Sequence, residues 1–144
     1  MSIPTNLIKD SRAFNENRDC AVIAIAAATG LDYAKAHLAM SVKGRQTRTG
    51  SSVNMILGAI DYLGFEAVPV PFSEILKDYP PCYREVSKLT PRQVQKFPKA
   101  WVGKGDFIGI TCNHALAICN GEVLDWSDGR RHQIKRLFRI QAKG

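Results

Sequence analysis

No apolar run in this sequence approaches the roughly 20 residues that a bilayer crossing needs. The opening "MSIPTNLIKDSR" has no apolar core behind a basic start, so no secretory signal is expected. Internal repeats and low-complexity tracts are missing, which argues against a solenoid or a linker-rich array. The four cysteines, Cys20, Cys82, Cys112 and Cys119, contain no Cys-x-x-Cys pair. In a chain without a secretory signal they are expected to be reduced thiols in the cytoplasm, not a disulfide framework. Aromatic residues make up only 8% and are not interleaved with the bases as in a single-strand-binding groove.

What is present is a chain of 144 residues, 45% hydrophobic and 23% charged. That composition suits one globular domain over 1–144, able to bury roughly two-thirds of its unfolded surface. The formal charge is +7, and Arg130, Arg131, Lys135, Arg136, Arg139 and Lys143 gather near the end. Such a strand could attract nucleic acid. A solvated, solubilising face is the preferred reading.

The first half reads helical. In "NENRDCAVIAIAAATG", Asp19 fits an N-cap, Cys20 the first helical residue and Gly30 the stop. The run between them is apolar all round, which predicts a helix buried on every side. Asp32 should cap a second helix, "YAKAHLAM", with Ala34, Leu38 and Ala39 inward. Ser51 or Ser52 should cap a third, with Met55, Ile56, Ala59, Ile60 and Leu63 at helical spacing and Gly64 as its stop.

The second half changes period. "FEAVPVP" predicts a short strand, and Phe72–Leu89 is proline-punctuated with no readable pattern. Thr90-Pro91 predicts a helix start, and Pro98 ends that helix. Beyond it, "DFIGITCNHALAIC", Asn120-Gly121 and "EVLDWSD" predict a hairpin with a two-residue turn. Helices first and antiparallel strands afterwards make the fold class α+β.

The hairpin serves as a ruler. With Asn120 and Gly121 in the turn, Cys119 faces Glu122, Ile118 faces Val123 and Leu116 faces Asp125. Alternation groups Cys112, His114, Leu116 and Ile118 on one side, with Asp125 diagonal to His114. A carboxylate beside a histidine fixes its tautomer and stabilises the imidazolium, as a general base requires. At the head of a helix, Cys20 would gain from the dipole and from unpaired backbone N–H groups. Those amides could also hold an oxyanion. Nucleophile, base and orienting acid then form one constellation. Cys82, Cys112 and Cys119 read as small core hydrophobes. A zinc site from Cys112, His114 and Cys119 is disfavoured, because Cys112 and Cys119 fall on opposite faces of a strand. No metal and no cofactor are expected.

"RDCAVIAIAAATG", "NHALAICNGEVLDW" and the helix-then-sheet order between them resemble the papain-like superfamily, in particular small bacterial and phage members related to bacteriocin-processing peptidases. The likeness covers nearly the whole chain. It implies a papain-like α+β fold and a cysteine-dependent hydrolase of amide, peptide or isopeptide bonds. Cys20 would be the nucleophile, His114 the base and Asp125 the orienting acid, with a protein or peptide as substrate. The family's usual glutamine before the cysteine is missing; Asn15 is the first candidate for the oxyanion amide and Asn17 the alternative. Ala21 stands where relatives commonly carry glycine or tryptophan. Two other readings share the scaffold: an acyl transferase or deamidase with the same triad, and a non-catalytic basic binding or inhibitory protein.

Overall fold

The computed structural model describes residues 20–45, 53–83, 89–111, 115–124 and 133–143. Helix α1, Cys20–Thr29, is alanine-rich, and its alanines offset the weaker helix preference of β-branched Val22, Ile23, Ile25 and Thr29. It is buried from Ala21 to Ala26 and again at Ala28, as an all-apolar helix must be. Gly30 ends it with φ +73°, its N–H reaching Ala26 O at 3.0 Å. Expected N-cap Asp19 lies outside the described residues.

Helix α2, Tyr33–Val42, is capped by Asp32, whose carboxylate accepts from Lys35 N at 2.9 Å. Its phase differs from the expected one. Tyr33, Ala36, Ala39 and Met40 are buried, whereas Ala34 is exposed and Leu38 is 56% exposed. The helix is apolar on both sides, and the large side chains of Tyr33 and Met40 decide which stripe packs. Helix α3, Val53–Tyr62, buries Ile56, Ala59 and Ile60 and stops at Gly64, φ +86°. Its expected caps, Ser51 and Ser52, lie outside the described residues.

Strand β1, Phe65–Pro69, is followed by a short helix α4, Phe72–Leu76, and a 3-10 turn, Pro81–Tyr83. Helix α5, Pro91–Lys96, begins with the capping box Thr90/Gln93: Gln93 N donates to Thr90 Oγ1 at 3.3 Å and Thr90 N to Gln93 Oε1 at 2.8 Å. After a second 3-10 turn, Pro98–Ala100, come β2 (Asp106–Ile110), β3 (Ala115–Cys119), β4 (Glu122–Leu124) and β5 (Arg136–Ala142).

These strands form one five-stranded antiparallel sheet in the order β1-β5-β2-β3-β4. It divides the interior in two. On one face α1, α2 and α3 close a core with Ile108, Ile110, Ala115, Ala117, Phe138 and Ile140. On the other, Ile75, Leu89, Val94 and Trp101 pack on Phe107, Leu116, Ile118 and Leu137. The protein is thus α+β. Among the described residues no helix is long and apolar enough to cross a membrane.

Candidate active site

Cys20 is the first described residue of α1 and is half-buried, whereas the six residues after it are buried. The placement of this helix head follows from two contacts. Helix α1 packs along β3 and, to a lesser extent, β2. The Cys119 thiol at the end of β3 donates to Ala27 O, late in α1, at 3.7 Å. Extensive packing along β3 from that contact requires the two elements to run in the same direction. Going back about 10 Å along the helix, at ~1.5 Å per residue, leads to Cys20. Going back about 13 Å along the strand, at ~3.3 Å per residue, leads to Ala115. The head of α1 and the start of β3 therefore lie at the same end of the sheet.

The hairpin register agrees with expectation where it is described. Cys119 pairs with Glu122, Ile118 with Val123 and Ala117 with Leu124. Asn120 and Gly121 hold φ of 52° and 80°, the paired positive values of a type I′ turn. Strand β4 thus leads back from the turn toward the end where β3 begins. His114 and Cys112, before β3, and Asp125, after β4, lie outside the described residues, as do Asn15 and Asn17. Leu116 and Ile118 share a face, as alternation predicts, and that face is turned to the second core. Helix α1 covers the opposite face, against Ala115, Ala117 and Cys119.

The remaining described thiols sit differently from Cys20. Cys119 is half-buried beneath α1, and its pKa is pushed up to about 12 by burial, then by the charge and hydrogen bond of Asp106 and the charge of Glu122. Such a thiol is a packing group. Cys82, expected in a core, is exposed. The 3-10 turn sends its neighbour Tyr83 to the rings of Tyr79 and Phe97 instead, at 5.5 and 5.3 Å, and leaves the thiol in solvent.

Two bases of the C-terminal charge run, Arg139 and Lys143, hold carboxylates, as does Lys104 before β2. Lys143 binds Asp61, Lys104 binds Asp78, and Arg139 reaches Glu74 at 3.4 Å. The hydrogen bond from Lys143 is the main cause lowering the Asp61 pKa, and that from Lys104 does the same for Asp78. Arg136 differs: it opens β5 opposite Ile110, which itself pairs with Ala115. Composition had grouped it with the solvated bases, since only the register shows which end of the sheet it occupies.

No family model, curated protein or solved structure matches this chain.

Proposed function

We propose that this protein is a papain-like, cysteine-dependent hydrolase of amide, peptide or isopeptide bonds. Cys20 attacks the carbonyl of a protein or peptide substrate. His114 takes the thiol proton and passes it to the leaving amine, while Asp125 orients the imidazole. Asn15 and the Cys20 amide hold the oxyanion, and water releases the thioester as a carboxylate. The setting is cytoplasmic, where thiols stay reduced.

One observation carries the reading. The head of α1, where Cys20 is half-buried, the start of β3 that follows His114, and β4 running toward Asp125 converge on one end of the sheet. The proposal rests on that shared end, not on strand alternation carried past Ala115.

Alkylation tests it. With limiting iodoacetamide near neutral pH, peptide mapping should find Cys20 modified before Cys82, Cys112 and Cys119. The test is demanding, because Cys82 is the exposed thiol. Exposure alone predicts Cys82 first, whereas activation by a helix head and a base predicts Cys20. Labelling of Cys82 ahead of Cys20 would remove the nucleophile. In parallel, Cys20→Ala should fold normally and lose all peptide hydrolysis.

A further inference from the structure

We infer that Arg136 selects substrates carrying a carboxylate within about three residues of the bond cleaved at Cys20. This inference rests on the hydrolase reading above.

The position of Arg136 is fixed by three independent observations. Register places it in one row with Ile110 and Ala115, at the end of the sheet to which Cys20 belongs. Alternation along β5 groups it with Phe138 and Ile140, both of which pack in the core that holds α1. Its guanidinium carbon lies 5.0 Å from the ring centroid of Phe138, so the side chain does lie on the α1 side. Arg136 is thus on the same face, and at the same end, as the head of α1.

Its bonding state is equally specific. Lys104, Arg139 and Lys143 each hold a carboxylate. Among the described residues Arg136 holds none, and its side chain is exposed. Its guanidinium lies over the Phe138 ring, and a guanidinium presents paired N–H groups suited to a bidentate carboxylate contact. Two strand spacings, about 10 Å in all, separate Arg136 from Ala115. An extended peptide covers that span in about three residues. An acidic side chain or a terminal carboxylate at that distance from the scissile carbonyl would meet the guanidinium.

The test uses the full-length protein and short peptidyl thiol-reactive electrophiles that differ only at one residue, Asp, Asn or Lys. Labelling of Cys20 is followed by intact mass and peptide mapping. Each rate is divided by that variant's iodoacetamide rate, so changes in thiolate content cancel. For the wild type, the Asp probe placed two or three residues from the electrophile should react about tenfold faster than the Asn probe. That ratio should shrink toward one as salt rises to about 0.5 M. Arg136→Gln should abolish the preference, Arg136→Lys should retain part of it, and Arg136→Glu should favour the Lys probe. The wild-type salt series stands even if a variant fails to fold. Equal Asp and Asn rates with Cys20 still labelled would overturn the Arg136 inference and leave the hydrolase reading standing, as would a preference that survives Arg136→Gln. Failure of every probe and of iodoacetamide to label Cys20 first would overturn both.

Discussion

Two residues show how burial sets the role of a polar group in this protein. Trp101 is fully buried, and its indole N–H donates to the Tyr79 hydroxyl at 2.8 Å. That hydroxyl in turn donates to Gln93 O at 3.1 Å, tying the 3-10 turn after α5 to the α4 region. Tyr79→Phe keeps the ring but leaves the indole N–H without its acceptor. It should cost about 1–3 kcal/mol in denaturant unfolding, with the fold retained; no change would mean that water or another acceptor replaces the hydroxyl. Cys119 makes the complementary case. Its folded pKa of about 12 lies above the ordinary 9.0, so the folded chain holds its proton where the unfolded chain releases it. The associated stability is present below pH 9 and is lost as pH rises from about 9 toward 12. Melting temperatures of the wild type and Cys119→Ala should keep a constant difference between about pH 6 and 8. Above pH 9 the wild type should fall faster, and parallel curves would count against the shift.

Elements are delimited here by a few glycines and caps, and they differ in how much the surroundings depend on them. Gly30 and Gly121 both take positive φ, at +73° and +80°. A Cβ on Gly30 would meet nothing within 4 Å, so Gly30→Ala should cost only the left-handed backbone penalty, about 1 kcal/mol. A Cβ on Gly121 would stand 2.6 Å from Pro98 O and 2.8 Å from Pro98 Cα, where backbone must move. Gly121→Ala should therefore cost at least twice as much and loosen the β3–β4 hairpin from the turn at Pro98. Comparison of the two denaturation midpoints, with β4 amide exchange as a second readout, checks this; equal costs would mean that Pro98 yields freely. Because the hairpin aims β4 at the candidate site, Gly121→Ala should also slow labelling of Cys20 by peptidyl probes.

For the whole molecule, the central strands β2, β3 and β5 contribute side chains to both cores. Phe107, Leu116 and Leu137 go to one, and Ile108, Ala117 and Phe138 to the other. Neither core can melt without removing half the support of those strands. Thermal unfolding should therefore be a single transition, with far-UV ellipticity from α1–α3 and near-UV ellipticity from the Tyr79, Tyr83, Phe97 and Trp101 cluster superimposing. Separate midpoints would show two independently stable cores.

The sequence by itself determined the local punctuation. Asp32, the Thr90/Gln93 capping box, the stops at Gly30 and Gly64 and the Asn120-Gly121 turn are all readable because each acts through its own neighbours in the chain. It also determined that α1 is buried along most of its length, since no polar stripe was available to face water. Only tertiary packing decided the phase of α2, where two apolar stripes compete and the one with Tyr33 and Met40 lies against α1 and α3. Packing likewise decided that Cys82 faces solvent and that Leu116 and Ile118 face the second core. For the candidate site, sequence named Cys20 as a helix head but could not say which end of the sheet that head meets. Packing of α1 along β3, with the Cys119 thiol on Ala27 O, did that, while strand pairing put Arg136, Ile110 and Ala115 in one row at the same end. Such neighbours come from different strands, and their proximity is a property of long-range pairing that no local pattern encodes.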